Sequence, residues 1–580
     1  MDSDGGAGQD GGRLADRPWL SSYAPGVPAD VEVPDDSLPQ MLTESARRYS
    51  GRVALDFFGA QTSYAQLIEA VDRAAEALRR LGVRAGDRLA LVLPNCPQHV
   101  VAFYAALRLG AVVVEHNPLY TAAELEHQLA DCGATVVVCW DRTAPLVDGL
   151  RGTTAVRTVV AVDLTAALPW QKRFALRLPL AKARAARAAM TGPVPPGVRR
   201  WEELASSTRP LDPAHPGPGP DDVALLQYTG GTTGTPKGAI LTHRNLRTNA
   251  AQGRAWVPGL KDGEETVYAV LPLFHAYGLT LCLTFSMSIG ATLVLLPRFD
   301  LDQMLAAVRR RPPTFLPAVP PIYERLAAAA RERGVDLTSI RFGISGAMPL
   351  PPAVVESWEA VTGGLLVEGY GMTVRSPISL GNPVAPSRRP GTVGVPFPST
   401  WIRIVDPDHP TQDLPIGEQG ELLVRGPQVF AGYWNRPEES AAVLLDGGWL
   451  RTGDVAVADP DGFVRIVDRL KEMIITGGFN VYPSEVEDVL RELDEIEDVA
   501  VVGVRRPGDG SEEVVAAVLP ATGATVDPEQ VRAHVRGRLT GYKVPRRVVV
   551  VDELPRSQVG KILRRTVRDR VEEADAPSVG

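Results

Sequence analysis

Cysteine is scarce in this sequence. The four present, Cys96, Cys132, Cys139 and Cys282, form no CxxC pair and show no zinc spacing. That excludes a disulfide scaffold and reads as reduced core thiols in a cytosolic protein. No apolar run reaches the roughly 18 residues that a membrane-crossing helix needs. Positive charge is also in deficit, with a formal net charge of −8, which argues against a general nucleic-acid binder. Residues 1–12 are rich in Gly and Asp and carry neither a basic n-region nor an apolar h-region. No secretory signal is read there, and 1–35 is expected to be a disordered lead-in.

What is present is globular. Hydrophobic residues make up 44% and charged residues 22% of 580 positions, too many positions for one core, so two or more domains are expected. From residue 38 onward, β-branched strands alternate with capped helices. The strand at 88–94 is followed by a helix at 98–109 that Gly110 stops, then by a strand at 111–114. Thr121 and Glu124 form a capping box for a helix ending at Gly133, and 134–139 reads as a third strand. Further on, 266–271 and 291–296 read as strands and 300–310 as a helix, with Asn245 as the cap of a helix before them. This alternation predicts an α/β fold with doubly wound, mostly parallel sheets.

The most informative stretch is YTGGTTGTPKG at 228–238, placed after the apolar run 223–226. Gly230, Gly231, Gly234 and Gly238 let backbone N–H groups approach an anion. Thr229, Thr232, Thr233 and Thr235 add hydroxyls, and Lys237 adds a fixed charge, so the loop makes a polyphosphate cradle. It is not a Walker A loop, because Pro236 separates Thr235 from Lys237 and no G-K-[S/T] follows.

This loop resembles the phosphate-binding signature of the adenylate-forming superfamily: acyl- and aryl-CoA synthetases, firefly luciferase and peptide-synthetase adenylation domains. The resemblance runs over 38–565, with further motifs in the family's order. LPNCPQ at 93–98 and NPLYTAAELEHQL at 117–129 resemble the long-chain fatty acyl-CoA synthetase branch.

The resemblance implies roles residue by residue. PLFHAYG at 272–278 would place His275 beside the carboxylate substrate. In GISGAMP at 343–349, Gly346 and Ala347 would line the adenine. In EGYGMTVRSP at 368–377, Tyr370 and Gly371 would face the adenine and Thr373 the α-phosphate. WLRTGD at 449–454 would give Asp454 to the ribose hydroxyls, and Arg469 of DRLKEMI would join it. Lys471 would be the hinge, Gly477 and Gly478 would line the CoA channel, and Lys561 of LPRSQVGK would be the adenylation lysine. The implied layout is a disordered segment at 1–35, a large AMP-binding domain at 36–469 and a small mobile α+β domain at 470–580.

One position departs from the pattern. The Glu that follows Thr373 in the family, and helps to hold Mg²⁺ on the nucleotide, is Val374 here, with Arg375 next. Valine cannot ligate a metal. Three outcomes stand open: Mg²⁺ held by ATP oxygens, water and threonines; Arg375 supplying charge in its place; or lost adenylation.

The expected activity is an ATP-dependent long-chain fatty acid–CoA ligase, with ATP, fatty acid and CoA as substrates and the Mg²⁺ site in question. The alternatives are a non-catalytic acyl or nucleotide binder, and an aryl or medium-chain acid–CoA ligase. A last feature is the acid-free stretch 171–200, with Lys172, Arg173, Arg177, Lys182, Arg184, Arg187, Arg199 and Arg200 beside Trp170, Phe174 and Leu178. It suits either an anionic membrane surface or a solvated basic linker.

Overall fold

A computed structural model of the chain describes residues 14–229, 235–476, 479–505, 512–557 and 560–575. Two large sheets dominate it. In one, Arg88–Val92, Val112–Glu115, Val136–Trp140, Thr158–Val162 and Val223–Thr229 run parallel, and Lys237–Thr242 turns back antiparallel on the last of them. In the other, Val53–Phe57, Thr292–Leu295, Thr266–Ala269, Phe315–Ala318, Phe342–Ser345 and Leu365–Gly371 are parallel neighbours. Their Val, Ile and Leu side chains are buried on both faces, as parallel strands require. The doubly wound α/β reading therefore holds.

The helix Pro97–Arg108 is buried almost throughout. Just before it, Asn95 donates to the carbonyls of Ala269 and Leu271 and accepts from Leu273 N–H. One buried amide thus joins the LPNCPQ loop of the first sheet to the strand end of the second. Thr121 caps Ala122–Cys132, and Gly133 closes that helix in the left-handed region, at φ 65°.

Asn245 is not the cap expected of it. Thr242 caps His243–Trp256, and Asn245 is its reciprocal partner three residues on. The second amide function of Asn245 donates to Pro427 and Val429 carbonyls, which fixes the residue inside the helix.

Residues 14–35, expected within a disordered lead-in, pack onto the body instead. Trp19 is fully buried against Gly462, the Tyr23 hydroxyl donates to Pro396 O, and Arg17 pairs with Asp30. Aromatic burial outweighs the polar composition that suggested disorder.

An antiparallel sheet carries Trp401–Val405, Gly420–Arg425, Trp449–Ala458 and Val464–Arg469. The C-terminal portion is α+β: Ile496–Arg505 pairs antiparallel with Glu512–Pro520, and Arg547–Val550 adds parallel to it. The helices Pro483–Leu490 and Pro528–Arg536 cover one face. Arg564–Asp575, a helix absent from the sequence reading, brings Val567 and Val571 onto the other.

Candidate active site

Residues from three strands and one C-terminal loop meet at a single corner. Leu365–Gly371 presents Tyr370, whose hydroxyl hydrogen-bonds the Asp454 carboxylate. Asp454 lies on Trp449–Ala458 and is 2% exposed. Its other oxygen receives Arg469 Nε at 2.9 Å from the neighbouring strand, where the two residues are register partners. A carboxylate offers about four lone pairs; two are taken by Tyr370 and Arg469, and two are left for a ligand's hydroxyls.

Lys561 arrives at this corner from the C-terminal portion. Its loop is folded by Lys561 N–H on Ser557 Oγ and by Ser557 N–H on Lys561 O. Gly560 lies against Met348, with a Cβ there standing 3.0 Å from the sulfur, so the loop touches the GISGAMP turn. Burial lowers the Lys561 ammonium below the ordinary lysine value, and Arg469 lowers it further, against the pull of Glu472 and Asp454. The loop's base is anchored by Arg564, which pairs with Glu472 and, at 2.8 Å, with Glu487. This anchor is missed by motif reading, because its members are separated by tens of residues and only the fold joins them.

The GISGAMP turn is set from beneath. Tyr277 donates to Ile344 O at 2.7 Å, and its ring lies 3.2 Å from where a Gly346 Cβ would stand. Ala347 takes a left-handed φ of 68°. His275 is half-buried; desolvation lowers its pKa to about 4, so the imidazole is neutral at physiological pH. Its Nδ1 accepts Tyr277 N–H, which leaves the ring proton on Nε2. Gln227 donates to Phe274 O at 2.8 Å, pinning the same segment to the end of the phosphate-loop strand.

Thr229 and Lys237 are register partners at the two ends of the phosphate hairpin. Gly230, Gly231, Thr232, Thr233 and Gly234 lie outside the described residues, as do Gly477 and Gly478. Lys237 pairs with Glu439, stands over the Tyr433 ring and feels the charge of Lys471. The expected hinge lysine is thus near the hairpin.

The turn after Tyr370 behaves differently. Thr373–Arg375 forms one 3₁₀ turn in which Val374 is buried and its carbonyl accepts Phe430 N–H. Glu368, the nearest preceding carboxylate, accepts a long bond from Leu350 N–H. Desolvation raises its pKa to about 8, so it is held largely protonated and makes a poor metal ligand. Among the described residues no group of three or more His, Cys, Asp or Glu side chains fits a metal ion. At this turn, among the described residues, neither Val374 nor the protonated Glu368 offers Mg²⁺ a carboxylate ligand.

Arg375 is fully buried, with its guanidinium carbon 4.3 Å from the Tyr370 ring centroid. Nε, Nη1 and Nη2 have no hydrogen-bond partner among the described residues. A desolvated cation–π contact is worth about 2 kcal/mol. A buried ion left unpaired costs several kcal/mol, so the ring alone does not balance it.

The chain matches known proteins over most of its length. The AMP-binding enzyme model matches residues 42–434, and that of the AMP-binding enzyme C-terminal domain matches 485–561. The chain is similar to a long-chain-fatty-acid–CoA ligase of Bacillus subtilis (strain 168), 39% identical over 95% of this chain and 97% of that protein. It is similar to one of Yersinia pestis, 40% identical over 95% and 97%. Among solved structures it resembles ATP-bound MatB from Rhodopseudomonas palustris, with TM-score 0.80 and 30% identity over 93% of this chain and all of that one.

Proposed function

The chain belongs to the AMP-binding enzyme family, and from that premise we propose that it is an ATP-dependent, AMP-forming fatty acid–CoA ligase acting on long chains. The observation that carries the reading is the corner where Tyr370, Asp454 and Arg469 meet Lys561 across two parts of the chain.

In the first step a carboxylate oxygen attacks the α-phosphorus of ATP. The new P–O bond forms as the bond to the β-phosphate breaks, giving acyl-AMP and pyrophosphate. Asp454 and Arg469 hold the ribose, and Gly346, Ala347, Tyr370 and Gly371 flank the adenine. Thr373 and Lys561 meet charge growing at the α-phosphate, while neutral His275 donates from Nε2 to the acid. Thr229 and Lys237 flank the leaving pyrophosphate. In the second step the part of the chain after about 470 turns at Lys471, withdrawing Lys561 and opening the acyl-AMP to CoA. The CoA sulfur attacks the carbonyl, AMP departs and the thiol proton is released. No protein nucleophile is required; positioning and electrostatics do the catalysis.

The test is AMP release with ATP, CoA and a panel of acids. Palmitate-dependent AMP and palmitoyl-CoA are expected. Turnover of benzoates in preference to palmitate would move the reading to an aryl ligase, and no ATP consumption with any acid would leave a binder.

A membrane is the source of acid best supported by the surface. Trp170 and Phe174 are 73% and 64% exposed on Trp170–Ala175, and Leu178 and Leu180 are exposed after it. Arg173, Arg177, Lys182, Arg184 and Arg187 lie in the same stretch of chain, while Lys172 turns back over the Phe58 ring. The patch is tied to the body by Trp140 Nε1 on Met190 O and Arg142 on Ala189 O. Exposed apolar side chains in a basic stretch fit an anionic bilayer. Co-sedimentation with phosphatidylserine vesicles is expected, and Arg173→Glu with Arg177→Glu should weaken it roughly 10- to 30-fold, at about 1 kcal/mol per basic residue. Binding indifferent to anionic lipid would remove this surface from the account.

A further inference from the structure

The misfit at the metal position and the buried cation beside it are adjacent in sequence, and they compensate in charge. A carboxylate with a divalent cation carries a net charge of +1. An apolar side chain followed by a guanidinium carries the same. We propose that Arg375 is a built-in cation that binds an anionic oxygen of the substrates, a nucleotide phosphate or the acid's carboxylate, where relatives of this fold place a metal-bound carboxylate. The inference rests on the ligase reading for the identity of those substrates.

Three observations converge on it. First, Arg375 is 0% exposed and all three of its nitrogens lack an acceptor among the described residues. A guanidinium presents five N–H donors in a rigid fork matched to carboxylate and phosphate oxygens. Burial leaves that fork without the partner its charge calls for, and an anionic oxygen of a bound substrate would supply one. Second, its position is at the nucleotide corner. The guanidinium lies on the ring of Tyr370, and the hydroxyl of that ring bonds Asp454. Third, the backbone around it is held independently of its side chain. Arg375 N–H donates to Met372 O, Val374 O accepts Phe430 N–H, Ser376 Oγ donates to Gln428 O, and Thr280 Oγ1 donates to Ser376 O. The turn keeps its shape without the guanidinium, so the charge is available for binding.

Two acids at this corner among the described residues have other roles or states. Asp454 is already engaged by Tyr370 and Arg469, and Glu368 is largely protonated near neutral pH.

The experiment is calorimetric binding to the full-length protein and to Arg375→Met and Arg375→Lys, with ATP in EDTA, ATP with Mg²⁺, adenosine and palmitate as separate titrants. Methionine fills a similar volume without charge, and replacing a buried ion by an apolar side chain is often neutral or stabilising. The thermal midpoint of ligand-free Arg375→Met is therefore expected to equal or exceed that of the native protein. If the bound anion is phosphate, Arg375→Met weakens ATP in EDTA about 10- to 100-fold and leaves adenosine unchanged. If it is the carboxylate, palmitate weakens by that factor and ATP does not. In either case Arg375→Lys recovers part of the loss, because the charge returns without the fork. Unchanged affinity for both ATP and palmitate in Arg375→Met overturns the proposal, as does a fall in adenosine affinity equal to that of ATP. Palmitate-dependent AMP release by the native protein, measured alongside, keeps the two conclusions apart. Activity with unchanged binding in Arg375→Met retires Arg375 alone. No activity with weakened binding retires the ligase reading and keeps the anion site.

Discussion

Replacing Lys561 with alanine is expected to slow acyl-AMP formation about 10²- to 10³-fold, the scale of losing one preorganised stabiliser of transition-state charge. Thioester formation from preformed acyl-AMP and CoA is expected to be nearly unchanged. The split follows from place. Lys561 stands near Asp454 and Arg469 on a loop that touches the GISGAMP turn through Gly560 and Met348, and in the proposed mechanism the second half-reaction needs that loop elsewhere. Desolvation, then Arg469, lowers the Lys561 ammonium below an ordinary lysine. The active form is the charged one, so adenylation should fall as pH rises through that lowered value, earlier than a free lysine would dictate. Lys561→Arg should keep the half-reaction charged and move that alkaline limb upward. Equal slowing of both half-reactions in Lys561→Ala would show that the residue supports the fold of its loop, whose base Arg564 anchors to Glu472 and Glu487, and does not act on the α-phosphate.

How much of this was legible before the fold was known depended on whether the signal was local. The strands at 88–92, 112–115 and 136–140 carry their reason in their own β-branched residues, and the Thr121 cap carries its reason three residues away at Glu124. The nucleotide corner was legible only as separate motifs. That Asp454 and Arg469 meet follows from strand pairing between Trp449–Ala458 and Val464–Arg469, and Tyr370 reaches Asp454 from a strand of another sheet; no single motif encodes either. Asn245 was misplaced because Thr242 and Asn245 are both good capping residues, and the choice between them was made by carbonyls at Pro427 and Val429, far along the chain. The packing of 14–35 was hidden for the same reason: Trp19 finds its pocket beside Gly462. Arg375 is the extreme case. Its charge is plain in the sequence, but burial without an acceptor is a property of the turn, the Tyr370 ring and the Phe430 backbone together.

Asp454→Ala is expected to weaken ATP binding and to erase the protein's discrimination between ATP and its 2′,3′-dideoxy analogue. The native carboxylate has two oxygens, one engaged by Tyr370 and the other by Arg469 at 2.9 Å, and each retains capacity for one further hydrogen bond. Two ribose hydroxyls would use that remaining capacity. A hydrogen bond to a charged acceptor contributes about 1.5–3 kcal/mol, so with both hydroxyls removed the native protein should prefer ATP to the dideoxy analogue by roughly 10²- to 10⁴-fold. The substitution also leaves Arg469 and the Tyr370 hydroxyl without their carboxylate, so the thermal midpoint should fall as well. A fall in affinity alone would therefore not separate ribose recognition from a collapsed corner. The ratio of the two nucleotides does separate them, because damage to the corner acts on both ligands while loss of a hydroxyl contact acts on one. Preference for ATP surviving intact in Asp454→Ala would place the ribose contact on another group and leave Asp454 as the residue that orients Arg469 and Tyr370. A ratio near one would put the ribose on the carboxylate itself and fix the orientation in which the α-phosphate reaches Lys561.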